Sequence, residues 1–175
     1  MSSPRILVAG VGNVFFGDDG FGVEVARRLL ERRWPDTVTI RDFGIRGLDF
    51  AYALLGGYDA AILVDTVRRG RDPGTLYVLE VEGDAGGAGA GARAFPLDTH
   101  GMDPARVLQF VRAMGGEPGT LHVVGCEPAN LGDEEEPIMG LSPEVRGAVT
   151  MAIGLVEDLI ARLGISAGTA RSVDA

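Results

Sequence analysis

Short apolar runs alternate with segments of helical periodicity along most of this chain. Runs of this length are typical of strands that are covered on both faces of a parallel sheet. The candidate strands are Ile6 to Ala9, Val38 to Ile40, Ala61 to Val64 and Leu121 to Gly125. Apolar residues at helical spacing predict helices that begin near Gly20, Gly47, Asp103 and Ser142. Asp103-Pro104 has the residues of an N-cap and a first helical position. The alternation predicts layers of helices on a parallel sheet.

The segment from Thr75 to Val81 departs from this alternation. It follows the third candidate strand after a connection, residues 66–74, that is too short to hold a crossover helix. We therefore expect an antiparallel strand there. The predicted fold class is α/β, a three-layer α/β/α sandwich around a mixed, mainly parallel sheet of about five strands.

The length of 175 residues and an apolar content of 46% predict one domain, which we assign to residues 1–165. Residues 166–175 are small and polar, which predicts a disordered tail. Gly83 to Gly91 reads as a flexible linker. It is either an inert surface insertion or a mobile arm that lets the loop around His100 accommodate a substrate.

The charge balance limits the partners. Sixteen basic and 25 acidic residues give a net charge of −9, which disfavours binding to nucleic acid or to an anionic membrane. No apolar stretch approaches the roughly 18 residues of a membrane span. Cys126 is the single cysteine, and a strand pattern occupies the N-terminus, so we expect a cytoplasmic protein. A monomer is the default expectation, because the pattern does not separate core faces from interface faces.

Three side chains of the metal-ligand type occur beside strand ends or glycine-rich turns. They are Asp19, Asp65 and His100. Two carboxylates and one imidazole suit a borderline divalent metal and leave coordination positions open for a substrate. Each residue also has a simpler interpretation. Asp18 or Asp19 could cap the first helix, Asp65 could form a turn, and His100 could be exposed in its loop.

Two other kinds of chemistry are alternatives to a metal site. Gly10-Val11-Gly12 suggests a nucleotide-binding oxidoreductase, but Phe15 occupies the position of the third glycine, where it would obstruct helix packing. Cys126 could be a nucleophile, but it lacks a base. His122 lies four residues earlier on the same strand, about 13 Å away, so a buried cysteine is the favoured interpretation.

Two acidic segments follow the last strand. Asp133 to Glu136 is either a solvated loop or a docking patch for a basic extension. Glu127-Pro128 forms a turn or shapes a cleft.

The glycine and acid segments together resemble the hydrogenase maturation endopeptidases over residues 5–163. The resemblance rests on Gly10-Val-Gly-Asn13, Asp18-Asp19-Gly20-x-Gly22, Asp42-x-Gly44-x-x-Gly47, Val64-Asp65, Asp98-Thr-His100-Gly and Val124-Gly125-Cys-Glu127-Pro128. It implies an enzyme that cuts a C-terminal extension from the large-subunit precursor of a nickel–iron hydrogenase after nickel insertion.

The resemblance implies that Asp19, Asp65 and His100 are the catalytic and metal positions, and that the nickel comes with the substrate. Another divalent metal that polarises the scissile carbonyl is a second possibility. Asp42 is a candidate supporting acid, with a capping or turn role as its alternative. A non-enzymatic nickel chaperone or metal-dependent binding module would use the same three ligands.

Two departures from the family pattern bear on specificity. Some relatives have glutamate at the position of Asp19. The segment Asp42-Phe-Gly-Ile-Arg-Gly47 differs from the Asp-Gly-Gly-Thr-x-Gly form of several relatives. Arg46 therefore either influences which large subunit is accepted or is a simple surface cation.

Overall fold

The computed structural model describes residues 2–81 and 103–170, with side chains described up to residue 164. The strands are β1 (Ile6–Val11), β2 (Val38–Gly44), β3 (Ala60–Thr66), β4 (Leu76–Val81) and β5 (Thr120–Cys126). The helices are α1 (Phe21–Leu30), α2 (Gly47–Leu54), α3 (Pro104–Ala113) and α4 (Pro143–Ala170), and a 3-10 turn, Gly17–Gly20, precedes α1.

The five strands form one sheet in the order β2-β1-β3-β5-β4. Four strands are parallel, and β4 runs antiparallel to β5. The predicted α/β class and mixed sheet are confirmed, including the antiparallel strand after the short connection. The strand order reverses between β1 and β3, and their carboxyl ends share one edge, where open α/β sheets place their ligand sites.

Helices cover both faces of the sheet. Because side chains alternate along each strand, successive residues pack against the helices of opposite faces. Ile6 and Val8 belong to the core formed with α1 and α4. Leu7 and Ala9 belong to the core formed with α2 and α3. Both faces of β1 are therefore buried, which explains its uninterrupted apolar sequence.

Two glycines allow α1 to pack very closely on the sheet. A Cβ on Gly22 would lie 2.1 Å from the carbonyl oxygen of Val64, and one on Gly10 would lie 2.2 Å from the carbonyl oxygen of Gly22. Phe15 lies in the loop ahead of this contact and is 56% exposed. The expected obstruction by Phe15 is therefore wrong, because the helix starts later and Gly22 makes the approach. This packing sets the turn that carries Asp19 beside the end of β3.

One predicted helix boundary is confirmed, and the predicted tail after α4 is left untested. Asp103 caps α3, accepting a hydrogen bond from the N–H of Ala105 at 3.0 Å, as predicted. The structure continues α4 to Ala170, and the disordered tail over residues 166–175 stays a prediction. Residues 171–175 and the predicted linker at 83–91 lie outside the described residues.

The structure also bears on the membrane expectation. Within residues 2–81 and 103–170, no helix combines the length and apolarity that a bilayer span requires.

Candidate functional site

The structure brings Asp19 and Asp65 together at the sheet edge between β1 and β3. Asp19 lies in the 3-10 turn that follows β1, and Asp65 is the next-to-last residue of β3. They are close enough that the charge of Asp19 raises the pKa of Asp65. Two of the three predicted ligands are therefore neighbours. The third, His100, lies outside the described residues.

Asp65 is electrostatically unusual. Burial is the main reason that its pKa rises from an ordinary value of 3.8 to about 8, and the neighbouring charge of Asp19 adds to the rise. The N–H of Thr66 donates to Oδ1 at 2.7 Å and opposes this shift only in part. Asp65 therefore keeps its proton at neutral pH when no cation is present. A cation that binds the carboxyl group of Asp65 must displace this proton.

Asp19 is positioned by its own loop. Its Oδ2 accepts a hydrogen bond from the N–H of Asn13 at 2.7 Å, and Asn13 Oδ1 accepts one from the N–H of Phe15 at 2.9 Å. These bonds fold residues 13–19 back on themselves at the end of β1. The side chain of Asp19 does not cap α1, so the capping interpretation is wrong for this residue.

Asp18 has a structural role that the sequence did not reveal. Its carboxylate is fully buried. Oδ2 accepts hydrogen bonds from the N–H groups of Ala129 and Asn130, at 2.8 and 2.9 Å. Ser142 donates its N–H to Oδ1 at 2.7 Å and its hydroxyl to Oδ2 at 2.9 Å. Asp18 thus links the 3-10 turn that contains Asp19 to the loop after β5 and to the start of α4.

Glu127 organises the connection between β3 and β4. It is buried and accepts hydrogen bonds from the hydroxyl of Tyr77 at 2.7 Å and from the N–H groups of Arg69 and Gly70 at 2.8 and 3.1 Å. The Tyr77 bond is the main reason that the pKa of Glu127 is lowered. Glu127 therefore fixes the chain that leaves Asp65, a role beyond the turn inferred from its sequence.

Cys126 is not a nucleophile in this structure. Burial is the main cause that raises the pKa of its thiol to about 12, with contributions from the charges of Asp18 and Glu127. Its side chain belongs to the core beneath α4. A thiol in this environment stays protonated and unreactive. The favoured interpretation of a buried structural cysteine is confirmed.

Asp42 and Arg46 lie at the end of β2 and before α2. Asp42 Oδ1 accepts a hydrogen bond from the N–H of Gly44 at 2.9 Å, and Oδ2 lies 3.5 Å from Nε of Arg27. The exposed Arg46 places Nη1 3.4 Å from a carboxylate oxygen of Asp49. These contacts account for a turn and a surface ion pair. A supporting acid at Asp42 and a substrate contact at Arg46 stay predictions.

The match to known proteins decides the family. The model of the hydrogenase maturation protease family matches residues 23–159. This chain belongs to that family. The resemblance found in the sequence is thereby confirmed, and the protein is an endopeptidase of the hydrolase class.

The relatives of this hydrogenase maturation protease match nearly the whole length of its chain. The hydrogenase expression/formation protein HupD of Rhizobium leguminosarum bv. viciae is 34% identical over 165 residues, which is 94% of this chain and 78% of that protein. The hydrogenase maturating endopeptidase HybD of E. coli has a structure with a TM-score of 0.72 and 30% identity, covering 91% of this chain and 94% of its own. A hydrogenase 2 maturation peptidase from a Thaumarchaeota archaeon gives 0.66 and 31%, covering 90% and 98%.

Proposed function

We propose that this protein removes the C-terminal extension of a nickel–iron hydrogenase large-subunit precursor after nickel insertion. In this proposal Asp19, Asp65 and His100 bind the nickel that the precursor carries. The observation that supports it most is the pairing of Asp19 with Asp65 at the edge between β1 and β3. A cytoplasmic location is part of the proposal and rests on Cys126, the lone cysteine, which has no internal partner for a disulfide.

The proposed site recognises a metal that arrives with the substrate. In the described residues, no group of three His, Cys, Asp or Glu side chains gathers in a way that would hold an ion. Asp19 and Asp65 supply oxygen ligands only, and Asp65 retains a proton with a pKa of about 8. Because a cation must displace this proton, we expect a free cation to bind these two carboxylates weakly. A nickel ion already held by the precursor gains these ligands at little entropic cost.

This arrangement couples processing to nickel loading. A precursor without nickel offers the two carboxylates nothing to bind, so its extension is not held at the site. A loaded precursor is held in a fixed position, which places its scissile peptide next to Asp19 and Asp65. Asp42, on the neighbouring strand β2, is the candidate supporting acid in this proposal.

The test is mass spectrometry of a hydrogenase large-subunit precursor, with and without nickel, after incubation with the protein. The variants are Asp19→Ala, Asp65→Ala and His100→Ala. Asp158→Ala is the control, because Asp158 is exposed on α4. We expect the wild type and the control to shorten only the loaded precursor. The three ligand variants should remain folded, by circular dichroism, and leave the precursor intact.

The other outcomes are equally informative. An unchanged mass together with a stable complex would identify a non-enzymatic binding module. Normal shortening by Asp65→Ala and His100→Ala would refute the ligand assignment.

A further inference from the structure

Large apolar side chains are exposed beside the carboxylate pair. Phe15, Ile138 and Met139 are 56%, 38% and 71% exposed, and we call them the Phe15 patch. The carbonyl oxygen of Phe15 accepts a hydrogen bond from the N–H of Ile138 at 2.8 Å, and the N–H of Gly17 donates to the carbonyl oxygen of Ile138 at 2.8 Å. Two chain segments that are distant in sequence therefore present the patch side by side.

The Phe15 patch is held in a fixed shape. Phe16 and Ile138 form a parallel bridge, and Gly132 donates its N–H to the carbonyl oxygen of Phe16 at 3.2 Å. Beneath them, the buried carboxylate of Asp18 binds the backbone at Ala129 and Asn130. The patch is thus not free to collapse into the core. Grouped apolar side chains that stay exposed mark a binding surface more often than single ones do.

The patch is continuous with the candidate site. Phe15 donates its N–H to the side chain of Asn13, and Asn13 donates its own N–H to Asp19. Phe15 precedes Asp19 by only four residues. A polypeptide that binds over Phe15 is therefore near a proposed nickel ligand.

An acidic rim adjoins the patch. Asp133 to Glu136 are all exposed and lead through Pro137 to Ile138. Asp133 Oδ1 accepts hydrogen bonds from the N–H groups of Glu135 and Glu136, at 2.9 and 2.7 Å, which bends the chain into a turn. Within the described part of the chain, the carboxylates of Glu134, Glu135 and Glu136 make no hydrogen bond or ion pair. They are free to meet positive charges on a partner.

We propose that the Phe15 patch binds the C-terminal extension of the precursor, through a segment in which large apolar side chains stand beside Lys or Arg. This inference rests on the proposed function and adds the chemistry of the substrate segment. The apolar side chains of the extension cover Phe15 and Met139. Its basic groups face the three glutamates, and the chain then leads the scissile bond towards Asp19.

The experiment compares a patch variant, Phe15→Ser with Met139→Gln, and a rim variant in which Glu134, Glu135 and Glu136 become Gln. The matched control is Met114→Gln with Met151→Gln, because these residues are 54% and 69% exposed on other surfaces. Two probes are used, the nickel-loaded precursor and the processed large subunit without its extension. Biolayer interferometry gives affinity, and mass spectrometry gives KM and kcat.

The patch variant should raise KM for the precursor about tenfold or more and leave kcat within about twofold. Its affinity for the processed subunit should be unchanged. The rim variant should raise KM at low salt and reduce its dependence on ionic strength. The control should match the wild type.

A patch variant with the KM of the control would overturn the inference, as would an equal loss of affinity for the processed subunit. A wild type that binds the precursor through the patch without shortening it would refute the proposed function alone. The two proposals are therefore distinguishable.

Discussion

Ser142 donates two hydrogen bonds to Asp18, from its N–H at 2.7 Å and from its hydroxyl at 2.9 Å. Ala129 and Asn130 donate two more to the same carboxylate. Asp18 is therefore a junction for the first turn after β1, the loop after β5 and the first residues of α4. Its neighbour Asp19 makes none of these contacts and lies instead in the candidate site, near Asp65.

Replacement of Asp18 by alanine should be strongly destabilising. Three backbone N–H groups and one hydroxyl lose a fully buried acceptor, so we expect the free energy of unfolding to fall by about 3 kcal/mol or more. Urea denaturation followed by circular dichroism measures it. Asp133→Ala is the control, because Asp133 also accepts two backbone hydrogen bonds but on an exposed turn. It should cost below about 1 kcal/mol. Equal losses in the two variants would contradict the role of Asp18.

The raised pKa of Asp65 predicts a pH dependence of stability. Between pH 3.8 and about 8, the folded protein holds a proton that the unfolded chain has released. Stability from this group is thus fully present below pH 3.8 and is lost as the pH rises through about 8. Asp65→Asn removes the titration. With a chelator present, it should be more stable than the wild type at pH 8 and differ least near pH 4.

Urea titrations of both proteins at several pH values check this. A stability difference that does not change with pH would show that Asp65 titrates normally. The same variant should lose processing, since an amide is a poorer metal ligand than a carboxylate.

The thiol of Cys126 should not take part in catalysis. With a pKa of about 12, only about one thiol in ten thousand is ionised at pH 8. We expect no reaction with Ellman's reagent in the folded protein and prompt reaction after denaturation. Cys126→Ala should process the precursor at the rate of the wild type. Inactivation by thiol reagents without unfolding would contradict the assignment.

The contact of α1 with the sheet should not tolerate a methyl group. In Gly22→Ala the new Cβ would lie 2.1 Å and 2.4 Å from the carbonyl oxygens of Val64 and Val11, so the helix must shift. We expect a loss of about 1–3 kcal/mol or more in unfolding free energy. Gly147→Ala is the matched control, since its Cβ would meet nothing within 4 Å on α4. It should be neutral or stabilising by about 0.5–1 kcal/mol. Thermal unfolding of the pair compares them.

The sheet could be predicted because local sequence determines it. Leu63 and Val64 are buried on opposite faces of β3, so the strand is apolar throughout and Asp65 stands out at its end. Asp103-Pro104 could be identified as a helix start from residue type alone, because the cap is local and its partner, Ala105, lies two residues away. Features that depend on interactions between residues close in sequence can be predicted from the sequence.

The roles of Asp18 and Glu127 could not be predicted in the same way. Asp18 binds groups that lie 111 to 124 residues away, and Glu127 binds groups 50 to 58 residues away. Most of these donors are backbone N–H groups, which carry no residue identity. The pattern of polar and apolar residues does not distinguish Asp18 from Asp19, and only the family resemblance pointed to Asp19. Only tertiary packing makes one a structural anchor and the other a candidate ligand.

The anchoring of Asp18 has a consequence for synthesis on the ribosome. Residues 2–44 can form the first strand, helix and second strand early, but the groups that satisfy this carboxylate are translated only after about a hundred further residues. A nascent chain that buried Asp18 sooner would enclose an unpaired charge, which is strongly unfavourable. The end of the molecule that carries Asp19 therefore closes late, after the start of α4 has emerged. We therefore expect a chain that ends before Ser142 to leave the turn that carries Asp19 without its full anchorage at Asp18.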